Sequence, residues 1–459
     1  MNPERDITTT STLDLLRRYE SPNVTFLEPD GSWPIIWERA KGVYVWDEAG
    51  KRYLDLTAAF GVSAAGHSNP RVVAAGRRQM GRLLHAMGDV HPHRLKADLA
   101  QKLSELTFER WTRATCQGRT QVTHGKTIFC NSGFEAVEAA LKTALLATGK
   151  PGVIVFEQAY HGLGYGTLNA THRAHFRSRF LVQLREFGTF LPFPGLPTTA
   201  PPSGAEQVPT LESLESMLGS RLRNNGIGAI LVEPIQVRGG VNIPPPQFLP
   251  LLRQLCDKHR SLLILDEIYT GFGRTGRWFA CEHFQVVPDL ICVGKALTGG
   301  FPLSACVGRA EVMDAAWPRS TGEAIHTSTF LGHPVGCAMA LANINELHHR
   351  GLVEQSARAG EFLLGRLREL VATCHRASAL QLDPRGLGLL AGLQIARPNG
   401  APATKEVLAL IKSLLHAGFI FLPEGEHANV ISFTPPLTIS TKQLESALSA
   451  LAQELPPHA

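Results

Sequence analysis

Two ionisable residues follow neighbouring apolar runs in this sequence and could carry chemistry together. Asp266 ends the run Leu-Leu-Ile-Leu at 262–265, and Lys295 follows Leu-Ile-Cys-Val-Gly at 290–294. A short apolar run bounded by charge or glycine predicts a strand buried on both faces, and open parallel sheets place functional residues at the carboxyl ends of such strands. We therefore expect Asp266 and Lys295 at the same edge of one sheet.

A lysine amine and a carboxylate in this arrangement suit pyridoxal phosphate chemistry. The amine can hold the cofactor aldehyde as a Schiff base, and a buried carboxylate can keep the ring nitrogen protonated, so that the ring withdraws electrons. Either residue alone says little, because a single aspartate after a strand is usually a helix cap or a solvated loop residue and a single lysine is usually at the surface. Together they predict a pyridoxal phosphate enzyme.

The elements that must position these residues belong to a large α/β chain. At 459 residues, the chain is too long for one ordinary core,. Strand-like runs at 127–130, 153–156, 229–232, 262–265 and 290–293 alternate with helical runs, which predicts a mostly parallel sheet,. Alternating residues at 42–47 and 51–56 predict a hairpin, and the proline-rich stretch 190–209 predicts an exposed insertion,. We predict residues 1–70 and 341–459 as the two parts of a small α+β domain, with residues 71–340 forming the large cofactor-binding domain.

Composition excludes several other classes of protein. The hydrophobic fraction of 44%, the charged fraction of 19% and the net charge of +5 are typical of a globular enzyme, and no basic tract predicts a nucleic-acid partner,. The eight cysteines include no C-x-x-C pair, which favours a reducing compartment,. Residues 1–20 carry charges within the first six positions and have no apolar core, so we expect neither a signal peptide nor a membrane anchor,. We therefore expect a cytoplasmic location.

A phosphate site is predicted where the run at 127–130 passes through Asn131-Ser132-Gly133 into an apolar-periodic helix,. A helix amino terminus opened by serine and glycine offers free backbone N–H groups to an anion, although a simple capped helix would read the same way. Tyr160-His161-Gly162 follows the run at 153–156, so Tyr160 could stack on a planar cofactor,.

With these motifs in order, the sequence resembles the class III, ornithine/4-aminobutyrate-like aminotransferases of pyridoxal phosphate fold type I. The resemblance covers nearly the whole chain. Its motifs are Gly42-Val43-Tyr44-Val45-Trp46-Asp47, Gly66-His67, Asn131-Ser132-Gly133, Tyr160-His161-Gly162, Val232-Glu233-Pro234-Ile235-Gln236, the segment from Leu265 to Gly276, Gly294-Lys295-Ala296, Ser328-Thr329-Phe330 and Pro435-Pro436-Leu437.

The resemblance implies a role for each residue of the predicted site. Lys295 would be the Schiff-base lysine and Asp266 the partner of the ring nitrogen. Gly133 and Phe134, beside Ser132, would donate backbone hydrogen bonds to the phosphate. Tyr160, next to His161, would stack on the ring, and Glu233 and Tyr269 would lie near it. Thr329 would reach the phosphate of a neighbouring subunit. A homodimer with two shared sites follows from the same resemblance.

Competing interpretations are weaker. The segment Gly271-Phe272-Gly273-Arg274-Thr275-Gly276 matches the nicotinamide-dinucleotide pattern G-x-G-x-x-G, but bulky residues follow it and Asp289 lies only thirteen residues beyond Gly276,. His91-Pro92-His93 has no metal-ligand spacing around it, so we predict no metal,. Racemase, phospho-lyase or decarboxylase chemistry on the same scaffold would leave the same cofactor motifs.

The substrate side departs from the family pattern. Arg238 and Ser432 occupy the positions where ornithine- and 4-aminobutyrate-type members have a glutamate and the arginine that it pairs with, and Leu163 stands where many members have an arginine. The loop 422–427 offers two carboxylates and no arginine. Arg238 is either a relocated carboxylate clamp, since guanidinium binds carboxylate in a bidentate manner, or a surface residue. We predict transfer of an amino group from an amine or amino compound to a keto acid in two half-reactions.

Overall fold

A computed structural model describes residues 11–29, 32–115, 122–194, 210–224, 226–374 and 380–455 of the chain. The predicted insertion at 190–209 lies largely outside the described residues. The strands are β1 Trp37–Lys41, β2 Tyr44–Asp47, β3 Arg52–Asp55, β4 Gly125–Cys130, β5 Gly152–Phe156, β6 Gly188–Leu191, β7 Ile227–Val232, β8 Leu262–Asp266, β9 Leu290–Val293, β10 Ser304–Arg309, β11 Gln381–Leu387, β12 Leu390–Ala396, β13 Phe419–Ile420, β14 Leu422–Glu424 and β15 Val430–Phe433.

Helices separate these strands along the chain. The α-helices span Thr12–Tyr19, Pro70–Arg82, Arg94–Ser104, Arg110–Thr115, Gly133–Thr148, Tyr165–Leu168, Ala174–Arg177, Leu211–Arg223, Phe248–His259, Ala310–Ala316, Pro334–His349, Leu352–Cys374, Thr404–His416 and Thr441–Glu454. Short 3-10 helices lie at Ser178–Gln183, Ala280–His283 and Lys295–Leu297, and a π-helical turn lies at Glu105–Glu109.

The central sheet confirms the predicted α/β class. Its order is β4-β10-β9-β8-β7-β5-β6. Neighbours among β9, β8, β7, β5 and β6 pair in parallel, whereas β10 is antiparallel to both of its neighbours. The five predicted strand runs all form strands of this sheet, and their apolar side chains are buried on both faces by helices, as expected for parallel strands,.

Strand ends in this sheet bring the two predicted residues together. Asp266 is the last residue of β8 and pairs in register with Cys292 of the adjacent strand β9. Lys295 lies two residues after β9 and begins a 3-10 helix. Since β8 and β9 run in parallel, both side chains reach the same edge of the sheet.

Two smaller four-stranded sheets complete the fold. The predicted N-terminal hairpin forms from β2 and β3, and β13 from the C-terminal region adds to β3 in parallel. The other sheet has the order β11-β12-β15-β14 and carries Glu424 at the end of β14. N-terminal and C-terminal segments thus share one sheet, while the domain boundaries near residues 70 and 340 stay a prediction.

A left-handed turn follows the N-terminal hairpin. Ala58, Ala59, Phe60 and Gly61 have φ values of 46°, 50°, 61° and 78°. Residues with a Cβ rarely adopt this region, at a cost of roughly 1–2 kcal/mol each. A Cβ on Gly61 would lie 2.7 Å from Cε1 of Tyr269, so the turn packs directly against that ring.

Within the described ranges, no helix is both long and apolar enough to cross a membrane. Nor do those ranges contain a cluster of three or more histidine, cysteine, aspartate or glutamate residues suited to a metal ion.

Candidate active site

One cavity of about 360 Å³ gathers most of the predicted site residues at the edge where β8 and β9 end. Its lining includes nine of them: Gly133, Phe134, Tyr160, His161, Glu233, Arg238, Asp266, Tyr269 and Lys295. Leu163, Ile268 and Thr270 also line it. Of the predicted residues, Ser132 and Thr329 are not part of this lining.

Lys295 projects into the cavity above an aromatic ring. Its Nζ lies 4.6 Å from the centroid of the Tyr269 ring. Burial lowers the pKa of Lys295, while the carboxylates of Asp266 and Glu233 oppose that effect. A lowered pKa makes the neutral amine, which is the nucleophilic form, more accessible.

Asp266 is held by hydrogen bonds on both of its oxygens. Its Oδ2 lies 2.7 Å from Nδ1 of the buried His161, and its Oδ1 accepts a hydrogen bond from the backbone N–H of Ile268 at 3.1 Å. These contacts fix the carboxylate at the floor of the cavity. The sequence identified His161 only as a neighbour of Tyr160, and the structure shows its contact with Asp266.

The adjacent Glu267 points elsewhere. Its carboxylate accepts hydrogen bonds from the Thr270 hydroxyl and from the backbone N–H groups of Ala280 and Cys281 at 2.5–2.8 Å. Glu267 therefore braces the chain segment after β8 and does not line the cavity.

The helix Gly133–Thr148 directs its amino terminus at the cavity. Glu135 accepts hydrogen bonds from the backbone N–H groups of Asn131 and Ser132, both at 2.8 Å, which fixes the turn into the helix. A Cβ on Gly133 would come within 3.0 Å of the Ile268 side chain, so a larger residue here would require Ile268 to shift.

This helix terminus fits the phosphate of a pyridoxal phosphate. The first N–H groups of a helix have no partner within it and favour an anion. Among the described residues, the buried Oγ of Ser132 has no hydrogen-bond partner, so it is available as a further donor. The lysine, the anchored carboxylate and this cradle together match the donor set that the cofactor needs.

Tyr160 and Glu233 form one wall of the cavity. Glu233 accepts hydrogen bonds from the backbone N–H of Tyr160 at 3.0 Å and from that of Val237 at 3.4 Å. Burial raises the pKa of Glu233 to about 7, with His161 opposing and Asp266 adding to the effect. On the other side, the Tyr269 hydroxyl lies 3.3 Å from Oγ1 of Thr434.

Arg238 lies in the cavity wall, with its side chain 30% exposed. Its Nη1 is 3.4 Å from Oε2 of Glu424, and its guanidinium carbon is 5.6 Å from the centroid of the Tyr160 ring. The other two positions of the family's carboxylate contacts do not supply a charge: Leu163 lines the cavity, and Ser432 donates to the Leu422 carbonyl at 3.1 Å.

Sequence reasoning missed two charged residues beside Arg238. Arg173 donates a hydrogen bond from Nη2 to the Arg238 carbonyl at 2.6 Å. In the sequence, Glu424 was noted only as one of two carboxylates in a loop. Its ion pair with Arg238 joins residues that are 186 positions apart in the chain. Spacing along the chain carries no signal for such a contact.

Thr329 is exposed and lies next to Ser328, whose Oγ accepts a hydrogen bond from Asn131 Nδ2 at 3.4 Å. The segment therefore runs beside the phosphate cradle of its own chain without lining the cavity.

The glycine-rich segment after β8 does not form a dinucleotide site. Residues 271–276 make successive turns, and the next element is the four-residue 3-10 helix Ala280–His283. A dinucleotide site needs a helix that begins at this point, with its amino terminus on the pyrophosphate.

Comparisons with known proteins agree with this geometry. The family model described as "Aminotransferase class-III" matches residues 27–455. A 5-aminovalerate aminotransferase from Pseudomonas aeruginosa is 35% identical, over 92% of this chain and 93% of that protein. A putrescine aminotransferase from Pectobacterium atrosepticum is also 35% identical, over 95% of this chain and 86% of that protein.

A solved structure shows the same fold. The ornithine aminotransferase from Toxoplasma gondii, described with partial occupancy of pyridoxal phosphate at its active site, superimposes with a TM-score of 0.80 at 26% identity. The match covers 98% of this chain and 95% of that one.

Proposed function

We propose specific residue roles on the premise that this chain belongs to the class-III aminotransferases, since the family model spans residues 27–455. The chain is accordingly a pyridoxal-phosphate-dependent aminotransferase, which moves an amino group from an amino donor to a keto acid. The observation that carries the residue assignment is one cavity lined by Lys295, Asp266 and the start of the helix Gly133–Thr148.

When bound, pyridoxal phosphate supplies a carbonyl carbon for Schiff-base formation and an electron-withdrawing ring. The backbone N–H groups of Gly133 and Phe134 and the Ser132 hydroxyl would hold its phosphate. Tyr160 would stack on its ring, Asp266 would face the ring nitrogen, and Lys295 would provide the covalent link.

Lys295 also moves a proton in this proposal. Its Nζ would lie in the same cavity as the reacting carbon of a bound donor amine. Burial lowers the pKa of Lys295, which favours the neutral amine that can accept the proton and return it,.

Asp266 acts as a fixed negative charge. Its hydrogen bonds to His161 and to the Ile268 N–H hold the carboxylate in one orientation. A preorganised charge stabilises a charged partner without reorganisation during the reaction. Glu233 and Tyr269 complete the walls and limit the position of the substrate.

Arg238 is the proposed contact for the carboxylate of the keto-acid acceptor. It is an arginine of the cavity lining, and Leu163 and Ser432 leave the two usual arginine positions without a charge. The two relatives are named for 5-aminovalerate and putrescine, and both compounds carry a primary amine on a carbon without a carboxylate. A donor whose reacting carbon carries no carboxylate does not need an arginine at position 163 or 432, where this chain has leucine and serine.

A homodimer with shared sites belongs to the same proposal. Two hydrophobic residues of the cavity lining and three other large hydrophobic residues are exposed in the single chain, as expected for a surface that a second copy covers,. They are Phe134, Leu163, Tyr165, Ile325 and Phe330. Thr329 of each chain would then contact the phosphate in the other.

Mixed dimers of Lys295→Ala and Thr329→Ala subunits test the sharing. If Thr329 acts on the neighbouring site, each mixed dimer contains one intact site and regains about half of the wild-type activity. If Thr329 acts within its own chain, both sites are defective and no activity returns, which would refute the shared site.

Borohydride reduction tests the assignment of Lys295. Reduction of the holoenzyme followed by peptide mapping should place the cofactor on Lys295, and the Lys295→Ala protein should fold and take up no label. Label on another lysine would refute the assignment.

The six described cysteines that are free and buried fit a reducing compartment, and the cytoplasmic location stays a prediction.

A further inference from the structure

Glu424 is the least satisfied charged group beside the cavity. Its side chain is 1% exposed, and neither carboxylate oxygen has a hydrogen-bond partner among the residues that the structure describes. Its one ionic neighbour within 4 Å in the described chain is Arg238, at 3.4 Å. A buried carboxylate without hydrogen bonds is costly, so this site favours any cation that can approach it.

The charges around Glu424 are those of the reaction site itself. Burial raises the pKa of Glu424, and the positive charges of Arg238, Arg173 and Lys295 oppose this rise. In turn, the negative charge of Glu424 opposes the lowering of the pKa of Lys295 by burial, so it acts on the amine that receives the substrate.

Arg238 can leave this ion pair without moving its backbone. Its carbonyl accepts hydrogen bonds from Arg173 Nη2 at 2.6 Å and from the Gly425 N–H at 3.2 Å, so the main chain is fixed beside β14. Its side chain is 30% exposed and makes no hydrogen bond to Glu424. Rotation towards solvent or towards an anion would leave Glu424 without its ionic partner, next to the cavity that Arg238 lines.

We propose that Glu424 determines donor specificity by pairing with a second positive charge at the far end of the amino donor, and that α,ω-diamines are the preferred donor class. This proposal rests on the aminotransferase function and on Arg238 as the acceptor contact. One ion pair then serves both half-reactions: the cationic donor takes Glu424, and the anionic acceptor takes Arg238.

The two substrates enter the same cavity in turn, so one subsite meets opposite charges. A fixed arginine would repel a diamine, and a fixed glutamate would repel a keto acid. A separable pair lowers both penalties: Arg238, which is partly exposed, can turn to solvent when a diamine pairs with Glu424, and it can stay beside Glu424 when it binds the acceptor carboxylate,.

The test compares 1,4-diaminobutane with butylamine, which has the same four-carbon chain and lacks the distal ammonium group. Binding to the Lys295→Ala holoprotein is measured by calorimetry, and the single-turnover donor half-reaction is measured with enzyme that retains Lys295. Glu424→Gln should weaken 1,4-diaminobutane by about 10- to 150-fold in both measurements and change butylamine less than threefold. Glu424→Asp, which keeps the charge, should retain part of the preference.

Glu426→Gln is the matched control, because Glu426 is an exposed carboxylate two residues along the same loop. It should leave the preference for the diamine intact. The affinity for a keto-acid acceptor should not fall in Glu424→Gln, since Arg238 is then released. A general structural defect would instead weaken diamine, monoamine and acceptor together, and that result would overturn the proposal.

Two further outcomes separate this inference from the function beneath it. If wild-type enzyme transfers amino groups from butylamine or 5-aminopentanoate and uses 1,4-diaminobutane no better, the role of Glu424 is refuted and the aminotransferase function stands. If no amine leads to carbonyl product and an aminated cofactor, the proposed function itself fails.

Discussion

Asp266 and Glu424 are both buried carboxylates beside the same cavity, yet their surroundings differ. Asp266 accepts hydrogen bonds on both oxygens, and it ends a strand in the middle of a seven-stranded sheet. Glu424 ends a short strand at the edge of another sheet and has no hydrogen bond among the described residues. The first arrangement suits a charge that stays in place through every turnover. The second suits a charge that exchanges partners.

The same contrast extends to the positive charges. Lys295 follows a central strand and lies over the Tyr269 ring, whereas Arg238 lies on a loop with a fixed backbone and a partly exposed side chain. In the proposed function, cofactor chemistry depends on residues at the sheet edge, and substrate choice depends on a partly exposed side chain and its ionic partner. Substitutions on the two sides should have different signatures.

The largest expected effect is at Asp266. Asp266→Asn should retain bound cofactor and lose about 10²- to 10⁴-fold in turnover with every donor, because a neutral amide cannot keep the ring nitrogen protonated. Single-turnover rates with several donors measure this. Glu267→Gln is the control, because it removes the charge of a neighbouring buried carboxylate that accepts hydrogen bonds from the backbone. This variant should have a lower free energy of unfolding, and its folded enzyme should keep the wild-type turnover. Near-normal rates in Asp266→Asn would exclude the role.

A smaller and more selective effect is expected at Arg238. Arg238→Ala should weaken the keto-acid acceptor by about 30- to 150-fold, which corresponds to a lost bidentate contact with a charged group. It should not weaken the donor half-reaction, because Arg238 competes with a cationic donor for Glu424. Arg238→Lys keeps the positive charge but lacks the planar guanidinium group, so its acceptor affinity should lie between those of the wild type and Arg238→Ala. Unchanged acceptor affinity in Arg238→Ala would show that another group binds the carboxylate.

The smallest effect concerns the pH dependence of stability at Glu233. Burial raises the pKa of Glu233 to about 7 from an ordinary value of 4.5. The folded state then binds the proton more tightly than the unfolded state does. The resulting stabilisation is complete below pH 4.5 and is lost as the pH rises through 7.

Urea unfolding of holoenzyme between pH 4.5 and 8 measures this contribution. The difference in unfolding free energy between wild type and Glu233→Gln should fall as the pH rises. Parallel profiles for the two proteins would mean that Glu233 does not titrate in this range.

Sequence reasoning could predict the sheet edge because the signal is local. Each strand run is apolar and ends at a polar residue, so the positions of Asp266 and Lys295 follow from the chain itself. The antiparallel strand β10 could not be predicted, since an apolar strand buried in a sheet carries no mark of its direction,.

The substrate side could be predicted only in outline. The type of residue at 238 was evident, but its partner Glu424 comes from another sheet and its backbone contact Arg173 from a distant helix start. Such contacts depend on how separate elements pack, and no periodicity along the chain records them. The contact between His161 and Asp266 was hidden for the same reason.

The left-handed turn at residues 58–61 has a consequence for the order in which the molecule can be built. Its residues leave the ribosome about two hundred positions before Tyr269, the ring against which Gly61 packs. Until Tyr269 has been synthesised and β8 has joined its sheet, packing against this ring cannot help to offset the roughly 1–2 kcal/mol that each left-handed residue with a Cβ costs. The wall of the cavity beside Lys295 is therefore among the parts that can form only after more than half of the 459 residues have been synthesised.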